Sequence, residues 1–456
     1  MFMGDLKIIP RGFRVLVCNL AVTFLIAKSV ANGATLEEVY AFPSGSNPKS
    51  TLLQARDGNI YGTTYGGGGL GFGSIFRMTP GGSVTTLFSF NKTNGANPYA
   101  GLIQGADGNF YGTTERGGIY DLGSVFRFAT NGVLTTFVSF DSGYSGARPY
   151  GALVQDSDGS FYGTTITGGN PGDGTVGGGT IFRVTTNGNF TILIAMKRSE
   201  GAQAQGTLIK GNDGAFYGTF YVGGVQGVGL VYRVTTNGIV SSLYDFSPLA
   251  ATGANPWGGL VLGTDGKFYG TTQGGGGKVF SLSTNGNFTL LHSMLFNGTQ
   301  GRSPVATLLL GADGAFYGTA AWDSGGHGTI FRITPSGAFT NLVFFRGTNG
   351  SAPYSGLIQA NDGSLYGTTS AGGSRGGGNI FRVNLGSKIT SLTRFGDFWR
   401  IRFSGLPDVS YRLLRSTEVT GPWISMGSTN TALNGIGEFT DRPGSAPKMF
   451  YRCVNP

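Results

Sequence analysis

Among the ionisable side chains that lie outside the motif repeated along this chain, five are candidates for catalytic groups. Four are carboxylates and one is a histidine: Glu115, Asp121, Asp173, Asp323 and His327. Two carboxylates at a fixed separation can cleave a glycosidic bond, and a histidine can act as a general base. These residues therefore allow a hydrolase or lyase that acts on polysaccharide.

A second set of side chains is suited to binding rather than to reaction. Four aromatic residues directly follow a proline at one register of the repeat: Tyr99, Tyr150, Trp257 and Tyr354. A fifth aromatic residue, Trp322, precedes Asp323 on a glycine-rich segment. Aromatic faces stack on the C–H groups of sugars, so these residues predict a carbohydrate-binding surface. The alternative is that the proline-linked rings wedge neighbouring units together, with Trp257 and Trp322 as exceptions.

A motif that recurs seven times positions these residues. It reads Asp-Gly-x-x-Tyr-Gly-Thr, recurs every 48 to 55 residues, and begins at Asp57, Asp107, Asp158, Asp213, Asp265, Asp313 and Asp362. An apolar-aromatic-arginine triplet follows it in six copies, whereas the fifth copy reads Val279-Phe280-Ser281. A period of this length is typical of a repeat architecture.

Each repeat contains four apolar runs separated by turns. In the second copy they lie at residues 102–104, 110–114, 125–128 and 134–140, and we label them strands A to D. Asp-Gly and Asn-Gly turns between apolar runs favour tight β-hairpins. Seven four-stranded units predict a β-propeller. A membrane barrel would need strands of about 9–11 residues, which are longer than these.

The ends of the repeat region predict how the ring closes. A D-type strand at residues 36–42 precedes the first repeat, and the seventh repeat changes character after its C strand, near Gly386. The N-terminal strand can therefore complete the seventh blade. We predict an all-β protein with a seven-bladed propeller at residues 32–386. Short alternating strands at residues 387–456 predict a small β-sandwich.

The first 31 residues predict a signal peptide. Lys7, Arg11 and Arg14 precede an apolar run at residues 15–27, and small residues follow at Ser29 and Ala31. This order is typical of secretory signals. The run is shorter than the about 20 residues that span a bilayer, and the alternative is an uncleaved anchor. We expect no transmembrane span after signal removal.

Composition and charge exclude several other classes. Glycine accounts for 84 of 456 residues, but 17 prolines are too few for collagen, and 39% hydrophobic content excludes a disordered chain. Most of the formal charge of +9 lies in the first 31 residues and in residues 387–456, so we expect no nucleic-acid partner. Each repeat aspartate is expected to cap its own turn. We expect neither a metal nor a cofactor.

The repeat also resembles a known family. The run at residues 102–114, followed by Gly117-Gly118 and Val125-Phe126-Arg127, is similar to the tandem repeat of choice-of-anchor GloVer-containing bacterial proteins. The resemblance covers about residues 35–386 and holds in every repeat. It implies an exported protein, extracellular or at the cell surface with the periplasm as the alternative, whose short C-terminal module sorts or anchors it. It implies no particular activity.

Function is expected on one face of the disc. The A–B and C–D turns are tight, whereas the B–C and D–A loops vary in length and content and lie on the opposite face, which we call the loop face. Variable loops on a rigid scaffold commonly carry function. We predict an exported, non-catalytic, monomeric propeller that binds carbohydrate, or a cell-envelope or extracellular partner, through this face. The alternatives are the polysaccharide-acting enzyme and a structural surface-layer component.

Overall fold

The computed structural model confirms the seven-bladed β-propeller. It describes residues 34–454 apart from positions 142, 171, 173–176, 249–251, 295–299, 387, 396–397, 405–409, 417–423, 431–435 and 443–449. The larger of two compact units is Leu36–Val383, and the other contains Asn384–Pro456. All 34 elements of the described residues are strands, so no helix among them could cross a membrane. The predicted signal peptide lies outside the described residues.

The first three blades follow the N-terminal strand, β1 (Thr35–Pro43). Blade one contains β2 (Leu53–Gln54), β3 (Ile60–Thr64), β4 (Ser74–Met78) and β5 (Val84–Ser89). Blade two contains β6 (Ile103–Gln104), β7 (Phe110–Thr114), β8 (Ser124–Phe128) and β9 (Leu134–Ser139). Blade three contains β10 (Val154–Gln155), β11 (Phe161–Thr164), β12 (Gly177–Val184) and β13 (Phe190–Lys197).

Blades four to six repeat the same antiparallel order. Blade four contains β14 (Ile209–Lys210), β15 (Phe216–Phe220), β16 (Leu230–Val234) and β17 (Val240–Asp245). Blade five contains β18 (Val261–Leu262), β19 (Phe268–Thr272), β20 (Lys278–Leu282) and β21 (Phe288–Ser293). Blade six contains β22 (Leu309–Leu310), β23 (Phe316–Ala320), β24 (Thr329–Ile333) and β25 (Phe339–Phe344).

Blade seven is built from both ends of the propeller, which confirms the predicted closure. Its own strands are β26 (Ile358–Gln359), β27 (Leu365–Thr369) and β28 (Gly376–Asn384). The N-terminal β1 pairs with β28 and so supplies the fourth strand. Side chains reinforce this junction, because Asn379 donates its amide to Glu38 (3.0 Å) and Arg382 pairs with Glu37. The ring of blades therefore has no free sheet edge at this junction.

The repeat motif stabilises each blade from within. In blade four, Asp213 accepts hydrogen bonds from the Ala215 amide (3.2 Å), the Tyr217 hydroxyl (3.0 Å) and the Arg233 side chain (2.8 Å). Each of the seven repeat aspartates accepts a hydrogen bond from the backbone N–H of the residue two positions later in the chain. This contact is expected of a side chain that caps its own turn.

The glycine of Tyr-Gly-Thr is required because strand B lies between two large side chains. A Cβ at Gly112 would lie 2.7 Å from Cζ of Phe126 and 3.0 Å from Cδ2 of Leu102, both in the same blade. Real Cβ atoms essentially never approach within 3.0 Å of another heavy atom. The motif therefore lets the C-strand aromatic ring cross directly over the backbone of strand B.

Neighbouring blades pack through rings and through amide hydrogen bonds. The Tyr-Gly-Thr tyrosines of the first five blades lie 4.0 to 4.4 Å, centroid to centroid, from an aromatic ring of the next blade. In strand A, Gln104 accepts from the Arg56 amide of the preceding blade (2.9 Å) and donates to the Gly108 carbonyl (3.0 Å). Between blades three and four, an ion pair of Lys210 and Asp156 replaces the interblade hydrogen bond of the strand-A glutamine.

The C-terminal unit contains two three-stranded sheets. One consists of β29 (Lys388–Phe395), β30 (Phe398–Ser404) and β33 (Ile436–Asp441). The other consists of β31 (Ser410–Ser416), β32 (Ile424–Asn430) and β34 (Phe450–Val454). The buried rings of Phe403 and Tyr411 meet between the sheets at 5.3 Å, as in the predicted β-sandwich.

Candidate functional site

The connection that leads into strand A places one side chain at the same register in every blade. A proline precedes that side chain in six blades, and Ala204 precedes it in the fourth. We call these seven positions the inner ring: Lys49, Tyr99, Tyr150, Gln205, Trp257, Val305 and Tyr354. Four of the five aromatic residues predicted to bind carbohydrate therefore belong to one structural set.

The backbone before each inner-ring residue has an uncommon conformation. The residue two positions earlier has a φ between 46° and 58° in all seven blades: Asn47, Asn97, Arg148, Gln203, Asn255, Ser303 and Ala352. For most residues such a conformation costs about 1 kcal/mol or more, so surrounding contacts must hold it. In blade two the Asn97 amide donates to the Phe72 carbonyl (2.8 Å), and the Asn97 carbonyl accepts from the Glu115 amide (3.1 Å). The inner-ring side chains are thus held by fixed backbone.

The segments that carry the inner ring touch one another across blade boundaries. The Gly356 amide donates to the Thr51 hydroxyl (3.0 Å), and the Gly259 amide donates to the Thr307 hydroxyl (2.9 Å). Glycine permits this approach, because a Cβ at Gly206 would lie 2.4 Å from the Gly259 nitrogen. In each of these hydrogen bonds the two residues occupy equivalent positions of neighbouring blades, two residues after the inner-ring residue. Equivalent positions of successive blades come this close only near the central axis of the ring. The inner ring therefore surrounds the axis on the loop face.

A second ring of residues lies beside the inner ring. Its members share one register just after strand B, directly after it in six blades and two residues after it in blade three. Each donates its backbone N–H to the carbonyl of the positive-φ residue: Tyr65, Glu115, Ile166, Tyr221, Gln273, Ala321 and Ser370. Two pairs of neighbours are joined through side chains. Tyr65 donates its hydroxyl to Glu115 (2.9 Å), and Tyr221 donates its hydroxyl to Gln273 (3.1 Å). The two rings thus form one connected layer.

The aromatic members of the two rings contact each other and remain partly exposed. The rings of Tyr99 and Tyr150 lie 4.5 Å apart at an angle of 34°. Tyr65 meets Tyr99 edge to face at 6.3 Å, and Tyr221 meets Trp257 edge to face at 5.4 Å. These contacts place a nearly continuous aromatic surface around part of the axis.

The sixth-blade loop adds another aromatic residue to this surface. The indole of Trp322 meets the Tyr354 ring edge to face at 6.5 Å. Trp322 is 40% exposed, which is more than any other predicted binding residue. Tyr354 is half-buried, and this burial raises the pKa of its hydroxyl. All five predicted binding residues therefore lie in the inner ring or touch it.

Charged groups are concentrated on one side of the rings. Glu115 is 4% exposed, accepts the Tyr65 hydroxyl, and lies 3.7 Å from the Arg116 guanidinium. The Lys49 ammonium lies 4.1 Å from the centre of the Tyr65 ring. Burial lowers the pKa of Lys49, and the charge of Glu115 opposes that shift. Burial, followed by the charge of Glu115, raises the pKa of the Tyr150 hydroxyl.

Two of the other predicted carboxylates shape their own loops. Asp121 accepts the Gly117 amide (2.9 Å) and pairs with Lys92 (3.3 Å), and these contacts, with the amide first, lower the pKa of Asp121. Asp323 is buried and accepts the amides of His327 (2.7 Å) and Gly328 (3.2 Å).

The remaining predicted catalytic residues are placed as follows. The His327 ring contacts the Ser351 hydroxyl through Nδ1 (3.2 Å), and Asp173 lies outside the described residues. No hydrogen bond or ion pair between described side chains joins any two of Glu115, Asp121, Asp323 and His327. In the described ranges, no group of three His, Cys, Asp or Glu side chains could hold a metal ion.

Comparison with known families identifies the repeat. The model of the Gloeobacter/Verrucomicrobia repeat matches residues 22–211, 173–321 and 206–406, which together cover most of the chain. The chain belongs to this family. The resemblance to GloVer-containing proteins is thereby confirmed. No curated protein matches the chain.

The fold of this Gloeobacter/Verrucomicrobia repeat protein is similar to that of solved structures. One is the extracellular domain of a protein described as a hybrid two component system of B. thetaiotaomicron, with 10% identity and a TM-score of 0.51 over 93% of this chain. A second such domain from that organism has 11% identity, 90% coverage of this chain and a TM-score of 0.49. This chain spans 57% of the first structure and 56% of the second. The likeness to the first concerns the propeller fold alone.

Among the ring residues that are absent from the sequence prediction, three have charged or aromatic side chains in this Gloeobacter/Verrucomicrobia repeat protein. Lys49 occupies the register of the proline-linked aromatic residues, as an alignment of Asn47-Pro48-Lys49 with Asn97-Pro98-Tyr99 shows. Tyr65 and Tyr221 follow strand B at the register of Glu115. Comparison of the seven repeats position by position would have found all three.

Proposed function

We propose that this protein is an exported, non-catalytic propeller that binds carbohydrate on its loop face, with the inner ring as the binding surface. The C-terminal β-sandwich would serve for attachment or sorting. One observation carries the proposal: aromatic side chains occupy four of seven equivalent positions around the axis and remain partly exposed.

The rings have the chemistry that sugars require. Tyrosine and tryptophan faces accept the C–H groups of a sugar ring. The side-chain amide of Gln273, which is half-buried, can donate to a sugar hydroxyl through its nitrogen. Since fixed backbone holds the inner ring, little side-chain or loop ordering is needed when a ligand binds.

A binding function accounts for the loop carboxylates better than catalysis does. A glycosidase needs two carboxylates that face each other across the scissile bond. Asp121 and Asp323 instead accept backbone amides of their own loops, and Glu115 is buried against Tyr65. These contacts support a structural role for the three carboxylates.

The test is a glycan-binding screen of the full chain, followed by titration of the best ligand against Trp257→Ala and Tyr144→Ala. Tyr144 is a matched control because it is 71% exposed on the loop face and outside both rings. We expect Trp257→Ala to weaken binding roughly 30-fold, as for an aromatic hot spot, and Tyr144→Ala to leave it unchanged. Equal affinities of wild type and a correctly folded Trp257→Ala would contradict the proposal.

A further inference from the structure

We propose that the sector of the two rings formed by blades one to three is a subsite for the carboxylate of an acidic sugar, with Lys49 as the cation that pairs with it. This inference rests on the proposed carbohydrate binding and specifies the class of sugar. A uronic acid is a ligand of this kind.

The charge of the sector favours an anion. Lys49, Arg116 and Arg148 act on its tyrosines or on Glu115. Arg116 also acts on Asp121, which pairs with Lys92. Glu115 is already compensated by Arg116 at 3.7 Å and by the Tyr65 hydroxyl. The sector therefore has an excess of positive charge. By contrast, the inner-ring positions of blades four to six are uncharged.

Lys49 is held in place without an ion-pair partner. Its ammonium lies 4.1 Å from the centre of the Tyr65 ring and 5.4 Å from that of Tyr99, within the range of cation–π attraction. No carboxylate oxygen of the described residues lies within 4.0 Å of it. Burial removes water from this cation, and no carboxylate of the described residues lies at ion-pair distance to replace it. Burial lowers the pKa of Lys49, and the more distant charge of Glu115 opposes that shift. A ligand carboxylate would supply the counter-ion.

The neighbouring tyrosines can bind the rest of the sugar. The paired rings of Tyr99 and Tyr150, 4.5 Å apart, present aromatic surface beside the ammonium. The hydroxyl of Tyr65 is fixed by its bond to Glu115 (2.9 Å). The Lys49 ammonium is a compact point charge, which can pair with the single carboxylate of a uronic acid. The arrangement therefore fits a carboxylated sugar, and a sulfated sugar is the competing ligand in the experiment.

The experiment compares uronic-acid oligosaccharides with carboxyl-reduced forms of the same chains, in which a neutral hydroxymethyl group replaces each carboxylate. The panel contains galacturonate, mannuronate and glucuronate oligomers and one sulfated oligosaccharide, titrated into the full chain at low and high salt. The variants are Lys49→Met and a control, Lys92→Met, which removes an equal charge from an exposed loop-face pair. Thermal melting confirms that each variant is folded.

We expect wild type to bind at least one uronate about tenfold more tightly than its reduced form, as for a hydrogen bond to a charged group. Salt should diminish that preference, Lys49→Met should abolish it, and Lys92→Met should retain it. If acid and reduced forms bind equally, or if Lys49→Met keeps the preference, the carboxylate subsite is refuted while carbohydrate binding stands. Tighter binding of the sulfated sugar refutes the carboxylate assignment. If no neutral or acidic glycan binds, both proposals fail.

Discussion

A single buried hydroxyl in blade four tests the packing of the propeller. Tyr232 occupies the place that phenylalanine takes in the other six blades. It is fully buried, its hydroxyl has no hydrogen-bond partner among the described residues, and its ring stacks on Phe220 at 4.1 Å. An unpaired buried hydroxyl costs about 1–3 kcal/mol. We therefore expect Tyr232→Phe to stabilise the protein.

The magnitude follows from two opposing effects. Removing the oxygen relieves the desolvation cost of about 1–3 kcal/mol. It also leaves a space of about 10 Å³, which at about 24 cal/mol per Å³ costs only about 0.2 kcal/mol. The free energy of unfolding should therefore rise by about 1–3 kcal/mol.

Thermal and urea unfolding of wild type, Tyr232→Phe and the reciprocal variant Phe182→Tyr measure this effect. Phe182 is the blade-three equivalent, and its Cζ would lie 2.5 Å from a Cβ at Gly163. We expect Phe182→Tyr to destabilise, because it creates the same unpaired hydroxyl in an equally tight place. A lower Tm for Tyr232→Phe would refute the reasoning, since it would mean that the hydroxyl has a partner.

Two further predictions concern the strand-B glycine and the histidines. Gly112→Ala should lower the free energy of unfolding by about 1–3 kcal/mol through overpacking, whereas Gly81→Ala, where a Cβ meets nothing closer than 3.9 Å, should change it little in urea titrations. Burial lowers the pKa of His292 below 6.5. The protein is therefore expected to keep its full stability above about pH 6.5, where His292 is neutral in both the folded and the unfolded state. It should lose stability as the pH falls through the folded-state pKa of His292. NMR titration of the two histidines measures the pKa of His292, and the variant His327→Gln assigns the signals. A His292 pKa of 6.5 or higher would contradict the prediction.

Much of the fold was predictable because the repeat encodes it locally. Asp-Gly turns, the Tyr-Gly-Thr strand and the early D-type strand predict seven blades and their closure, and β1 pairs with β28 as expected. From the sequence alone, the Tyr-Gly-Thr glycine could have been required by a contact with the next blade. Its Cβ would instead strike Phe126 and Leu102 of its own blade. Sequence spacing identifies a tight position but not the side chain that crosses it.

The candidate site was predictable only in part. The proline-linked aromatic residues were found because they share a type, but Lys49 shares their register without sharing their chemistry. The strained backbone two residues earlier involves seven positions of five residue types, so no residue preference reveals it. The pairing of Tyr65 with Glu115 joins residues 50 positions apart. Such contacts depend on the curvature of the whole ring, which local patterns do not encode.

The central claim is that the inner ring binds carbohydrate, and hydroxyl-radical footprinting with mass spectrometry tests it most directly. The full chain is oxidised with and without a saturating concentration of the best glycan from the screen. We predict protection of Trp257 and Tyr150 in the inner ring, and no protection of Tyr120 and Tyr144, which are exposed outside both rings. Protection confined to Tyr120 or Tyr144, or a saturated complex with Trp257 and Tyr150 unprotected, would contradict the claim.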